Sequence, residues 1–286
     1  MTNISAETVK TLRNQTGAGM MDCKKALEDA NGSIEQAIEV LRKKGISTAQ
    51  KRADRVAKQG IIITKINSQS NEGIILEVNC ETDFVGRNEE FISFANQLLT
   101  IIEENKLSNI EVLLAHQIQD GVTVENRVND LVGKIGEKVA IRRFEVFKTS
   151  DGLINIYTHM GNKIGVLVEL TTSKNNDITK TLSKDIAMQI AAMNPTVVSR
   201  ESVSKDTILQ EIEIYKIHAK NEGKPEAIAE KISLGRLEKY YQEFVLIEQS
   251  FIKDAGKTIT DILNDASKQI GEKVTVKRFL RYQLGE

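Results

Sequence analysis

Side chains that do chemistry must be brought together, and this chain scatters the ones best suited to it. Its three histidines, His116, His159 and His218, fall in no His-x-x-x-His or Cys-His spacing, so neither a metal site nor a nucleophile with its base is expected. Cys23 and Cys80 are too few for a disulfide framework and lack Cys-x-x-Cys spacing; both read as small core residues in a reducing compartment. There is no Gly-x-x-x-x-Gly-Lys loop and no Gly-x-Gly-x-x-Gly turn to cradle a phosphate, so any nucleotide involved belongs to a partner. Carboxylates are plentiful, but they sit in mixed-charge segments that read as solvated helix faces. The expectation is a protein that is not an enzyme and carries no cofactor and no metal.

Two places look built for contact instead. Met20 and Met21 are adjacent beside Gly17 and Gly19, and one helix face cannot bury both. An exposed thioether makes an adaptable contact; the other reading tucks both beneath the small helical bundle around them. Thr82-Asp83-Phe84-Val85 lies between a strand and a helix, with an aromatic beside an acid. Either Phe84 staples the start of the following helix or it faces a partner.

The elements that must position these residues follow from periodicity. Residues 4–45 predict three short helices: Ser5 caps the first, Asp22 starts the second, and Ser33 opens a third ended by Gly45. So small a bundle is marginal alone and reads as a docking module, residues 1–45, on a basic tether, residues 46–58. From Gly60 the period changes: Ile61–Ile66 and Ile74–Val78 read as a hairpin turning at Asn71-Glu72-Gly73. A helix capped by Asn88 follows, with Phe91, Phe94, Ala95, Leu98, Ile101 and Ile102 at helical spacing, then further helical pattern through Leu131 and a strand at 139–147.

That plan repeats. Lys134-Ile-Gly-Glu-Lys-Val-Ala-Ile-Arg-Arg-Phe144 is echoed 135 residues later by Gln269-Ile-Gly-Glu-Lys-Val-Thr-Val-Lys-Arg-Phe279, and Gly73-Ile-Ile-Leu-Glu-Val78 is echoed 92 residues later by Gly165-Val-Leu-Val-Glu-Leu170. The larger first offset implies an insertion in the second copy. Residues from about 200 to 248 supply it: Ile208, Ile212 and Tyr215 lead to Gly223 and Pro225, and Ile228, Ile232, Leu237, Tyr241 and Phe244 return. The fold expected is α+β: a three-helix module, two duplicated α/β-layered subdomains at 59–148 and 149–286, and an antiparallel coiled-coil hairpin inserted in the second.

Composition sets limits on partners. No run of the 286 residues approaches a membrane span, and Met1 to Glu7 lacks the basic and apolar pattern of a secretory signal, so a cytoplasmic protein is expected. A net charge of −1 denies it the field that drives general nucleic-acid binding. The local exception is Arg42 to Lys58, with seven basic residues against the single acid Asp54; without interleaved aromatics it reads as a solvated linker helix, with a phosphate-binding patch as the alternative. Two rival readings remain: a nucleic-acid-binding translation protein using that stretch, and a ubiquitin-type scaffold using the first module alone.

Thr16-Gly-Ala-Gly-Met-Met-Asp-Cys-Lys-Lys-Ala-Leu27 and Ile75-Leu-Glu-Val-Asn-Cys-Glu-Thr-Asp-Phe-Val85 resemble the two signature segments of the bacterial elongation factor Ts family, and the likeness covers nearly the whole chain. It implies a first module similar to a ubiquitin-associated domain, and nucleotide exchange on elongation factor Tu. By that resemblance Asp83 and Phe84, within the loop Thr82 to Val85, would enter the GTPase near its magnesium. Arg13, Met20, Met21 and Lys24 would hold its nucleotide-binding domain. Ile135 and Gly136 match a contact near the phosphate loop, and His159, in Tyr157-Thr-His-Met-Gly161, matches a position facing the partner. The hairpin would reach another partner domain. Some relatives continue past the last strand into a short helical module, whose contacts are not expected here.

Overall fold

The computed structural model describes residues 4–118, 121–159 and 161–286. Helix α1 (Ala6–Thr16) begins where Ser5 accepts the Thr8 N–H and stops at Gly17, whose φ of +67° suits glycine. Helix α2 (Met20–Asp29) starts at Met20, two residues before the expected Asp22, and α3 (Ile34–Arg52) is capped by Ser33. Leu12, Cys23, Leu27 and Ala37 lie at the centre of the cluster these helices bury.

Gly45 does not end the third helix as expected. α3 runs through it to Arg52, so residues 46–52 of the anticipated tether are helical. The reason is α7 (Val124–Ile135): a Cβ on Gly45 would stand 2.9 Å from the Asn129 carbonyl oxygen, and one on Gly133 would stand 2.8 Å from the Gly45 Cα. A mid-helix glycine costs about 1 kcal/mol relative to alanine. Here the close approach of two helix backbones offsets that cost.

Strands β1 (Gln59–Ile66) and β2 (Glu72–Cys80) make the expected hairpin, closed where the Asn67 N–H donates to the Glu72 carbonyl. The short helix α4 (Asp83–Gly86) follows, then α5 (Glu89–Asn105), whose Asn88 cap and buried Phe91, Phe94, Ala95, Leu98 and Ile102 match the stripe read from sequence. The helical pattern through Leu131 resolves into α6 (Ile110–Ala115) and α7, with residues 119 and 120 outside the described ones. Strand β3 (Val139–Lys148) ends this part, and β1, β2 and β3 form a sheet in that order.

The second part opens with β4 (Gly152–His159) antiparallel to β5 (Ile164–Thr171), Gly152 facing Thr171 and His159 facing Ile164. Then come α8 (Asp177–Met193), α9 (Lys205–Asn221), α10 (Glu226–Phe244), a small two-stranded sheet of β6 (Ser250–Phe251) and β7 (Asp254–Thr258) that sequence periodicity did not anticipate, α11 (Ile259–Ile270) and β8 (Thr275–Gln283). The sheet order is β4-β5-β8, and Ile186 and Ile190 of α8 with Leu263 and Ile270 of α11 join its buried face. By contacts the chain divides into one unit of residues up to Ile63, Leu76–Glu145 and Gln283–Glu286, and another of Thr64–Ile75 and Val146–Tyr282. The N-terminal helices thus share a unit with α5 and α7.

The two echoed segments fall on matching elements. Each runs from the end of a helix, α7 or α11, through a left-handed glycine, Gly136 at φ +76° or Gly271 at φ +71°, into a strand. Glu77 on β2 is buried between Arg142 at 3.0 Å and Arg143 at 2.7 Å; Glu169 on β5 is buried between Lys277 at 2.9 Å and Arg278 at 2.6 Å. A buried carboxylate survives without water only with such partners.

In the insertion, α9 and α10 pack as a hairpin, with Gly223 at φ +77° past the first helix. Pro225 stands at the cap of α10, one residue before the first helical position expected for it. On α10, Leu237 and Tyr241 face inward as expected, but Ala229 and Ser233 take the inward positions nearer the tip and Ile228 is exposed.

Candidate functional site

The Thr82–Val85 segment is held from below and bare above. Thr82 ends the extended backbone and caps α4: its Oγ accepts the Val85 N–H at 3.4 Å. The same hydroxyl donates to Glu137 Oε1 at 2.8 Å while the Thr82 N–H donates to Glu137 Oε2 at 3.0 Å. One residue back, Glu81 accepts the Lys138 N–H at 2.7 Å, Arg52 at 2.8 Å and Arg55 at 3.0 Å. Burial alone would raise the Glu81 carboxyl, but these donors outweigh it and hold it at about 2. Cys80 donates its S–H to the Thr82 carbonyl, and burial, with the Glu137 carboxylate second, pushes its thiol up to about 12.

At the far end Gly86 is buried against Gly60: a Cβ there would lie 3.2 Å from the Gly60 carbonyl oxygen. Between these anchors Asp83 pairs with Arg87 at 2.7 Å, and Phe84 stands 83% exposed. Phe84 therefore does not staple the next helix.

Ile135 and Gly136 close α7, half-buried, immediately before Glu137, so the carboxylate clamp brings them beside the Thr82 turn. Lys134, the residue before them, reaches the N-terminal helices: a Cβ on Gly17 would fall 2.0 Å from the Lys134 Nζ. Past that turn Met20 and Met21 occupy the first turn of α2, 47% and 74% exposed, which overturns the reading that tucked both under the bundle. Arg13 and Lys24 are also exposed, Lys24 lying 3.9 Å from Glu28. His159 lies in the other unit, exposed at the end of β4, its Nδ1 2.8 Å from the Tyr157 hydroxyl and its ring stacked on that tyrosine. Met160 in the same motif is outside the described residues.

Spacing alone did not reveal Glu137, Glu81, Arg52 or Arg55. A signal was present: the Ile-Gly-Glu-Lys of 135–138 recurs at 270–273. Three of the seven basic residues of the stretch are engaged in structure: Lys44 pairs with Asp22, while Arg52 and Arg55 hold Glu81. Among the described residues no cluster of His, Cys, Asp or Glu is grouped to hold a metal, and no helix is long and apolar enough to cross a membrane.

The fold is α+β, with an exposed aromatic on a short anchored turn and two exposed thioethers at the start of α2, the kind of surface that suits contact with another macromolecule. Comparison with known proteins gives the family. The family described as Elongation factor TS matches residues 81–286. The chain is 48% identical to elongation factor Ts of Chloroherpeton thalassium over the whole of both chains. It is 44% identical to that of Clostridium perfringens and 46% to that of Clostridium kluyveri, in each case across 99% of this chain and 93% of the relative. The chain belongs to the elongation factor Ts family, and is a translation elongation factor that acts as a guanine nucleotide exchange factor.

Proposed function

We propose that this chain works in the cytoplasm on elongation factor Tu in its GDP state, setting the Thr82–Val85 turn against the magnesium and phosphate site of that GTPase. The observation that carries the reading is Phe84, 83% exposed at the tip of a turn whose base is clamped on both sides. A GTPase holds GDP through the backbone amides of its phosphate loop and through a magnesium bridging phosphate and protein oxygens. A factor that binds the empty state better than the loaded one must weaken nucleotide binding by the same ratio, and a hundredfold effect corresponds to about 2.7 kcal/mol. Burying one phenylalanine contributes roughly 1.5–3 kcal/mol, so Phe84 has the size the task requires.

In this reading Arg13, Met20, Met21 and Lys24 hold the nucleotide-binding domain, Ile135 and Gly136 lie near its phosphate loop, and His159 faces the partner. The core is two copies of one plan, and α9 and α10 form a coiled coil reaching another partner domain. The chain itself binds neither nucleotide nor nucleic acid; engagement of Lys44, Arg52 and Arg55 in ion pairs supports protein contact over phosphate binding by that stretch.

The test is stopped-flow release of fluorescent GDP from elongation factor Tu. Phe84→Ala is expected to keep most binding affinity and to lower stimulated release about ten- to a hundredfold, the equivalent of one buried phenylalanine. Wild-type stimulation by this variant would remove Phe84 from the mechanism.

A further inference from the structure

We propose that Glu137 is the positioning residue of the exchange turn: its carboxylate, by holding both the N–H and the hydroxyl of Thr82, fixes the direction in which Phe84 projects. This rests on the reading of Phe84 given above and adds the residue on which that reading depends. α4 has four residues, far below the roughly 12–15 that let a helix stand alone in water. Phe84 is too exposed to anchor itself. Its direction is therefore inherited from the backbone at the two ends of the turn.

One end is the contact of Gly86 with Gly60. The other is a relay of donors and acceptors: the Val85 N–H donates to Thr82 Oγ, and the Thr82 hydroxyl, with the Thr82 N–H, donates to Glu137. With its proton directed to Glu137, the hydroxyl presents a lone pair to the Val85 N–H, so the carboxylate fixes the rotor on which the cap depends. Glu81 repays the contact by accepting the Lys138 N–H, so residues 81–82 and 137–138 exchange carboxylates for amides.

The echoed position supplies a control within the same molecule. Glu272 also clasps the chain after a strand, taking the Thr172 hydroxyl, the Ser173 N–H at 2.8 Å and the Ser173 hydroxyl. There Lys174 and Asn175 follow and no aromatic is presented. The clamp thus belongs to the scaffold, and only the copy at Glu137 carries a contact residue.

Glu137→Gln keeps shape but leaves one uncharged acceptor oxygen where two charged ones held the Thr82 N–H and hydroxyl, so the hydroxyl proton loses its acceptor. With elongation factor Tu loaded with fluorescent GDP, it is expected to lower the maximal release rate at saturating factor at least tenfold while changing the half-saturating concentration less than threefold. Glu272→Gln is expected to leave both unchanged. In a Phe84→Ala background Glu137→Gln is expected to cost less than it does in the parent, because part of its effect passes through Phe84. Thr82→Val, which removes the hydroxyl alone, covers the case in which Glu137→Gln does not fold, and is expected to lower the maximal rate in the same way. An unchanged maximal rate in the clamp variant that folds, beside an impaired Phe84→Ala, would overturn the positioning role and leave the Phe84 reading intact. A loss on top of Phe84→Ala as large as the loss in the parent would also overturn it, by showing that Glu137 acts independently of Phe84.

Discussion

Three donors converge on the Glu81 carboxylate, the Lys138 N–H and the guanidiniums of Arg52 and Arg55, and their effect exceeds the burial that opposes it. A carboxyl held at about 2, against an ordinary 4.5, stabilises the folded state fully above about 4.5. That contribution is lost as pH falls from there toward about 2, where the folded chain also takes up the proton. Glu81→Gln should therefore be less stable than the parent at neutral pH, with the gap in urea midpoint closing between pH 4.5 and 2; a gap that stays constant on acidification would show that the ionised form is not what matters. Nothing local in the sequence marks this residue or Glu137, whose partner Thr82 is 55 positions away. Phe84 was visible as a residue to weigh, but spacing left two uses for it open, and only its exposure separates them.

Helices were legible wherever burial is periodic: the α5 stripe from Phe91 to Ile102 lies on the buried face that its spacing implies. Gly45 was not, because a glycine reads as a stop whether it ends a helix or admits a neighbour, and the deciding residue, Gly133, lies on a different helix. The same ambiguity shifted the inward face of α10, where Ala229 and Ser233 displace the larger Ile228. The crossing of α3 and α7 makes a sharp prediction at this scale. Gly133→Val would place side-chain atoms where the Gly45 Cα stands, within 2.8 Å of the new Cβ, and no rotamer relieves a clash with backbone. The expected result is a loss of about 1–3 kcal/mol with α3 displaced from α7, read as a lower thermal midpoint and faster amide exchange along residues 42–52. Unchanged exchange there would mean that the helices do not meet as described.

The echoed segments lie on matching elements, and their surroundings differ at two places: Phe84 stands on the turn after β2, and α9 and α10 stand between α8 and α11. An addition that leaves a repeated core intact should be removable. None of the buried cluster formed by β5, β8, α8 and α11 comes from the hairpin; its members run from Val166 to Ala191 and resume at Leu246. The hairpin root has its own small cluster, Val203, Leu237, Tyr241 and Val245, and there the chain on either side is already joined, the Leu246 N–H donating to the Val197 carbonyl at 2.9 Å. Arg200 spans the root, paired with Glu238 on α10 and with Glu248 beyond it, so it keeps one partner if α10 is lost. Replacing residues 205–244 with a short Gly-Ser turn should expose chiefly Val203 and Val245, at roughly 1.5–3 kcal/mol for each buried side chain. The shortened chain is expected to lose the circular-dichroism signal of the 17 and 19 residues of α9 and α10 and still to unfold in one cooperative transition at a modestly lower temperature. A shortened chain that melts gradually, with the β4-β5-β8 sheet unprotected in amide exchange, would place the hairpin inside the core rather than upon it.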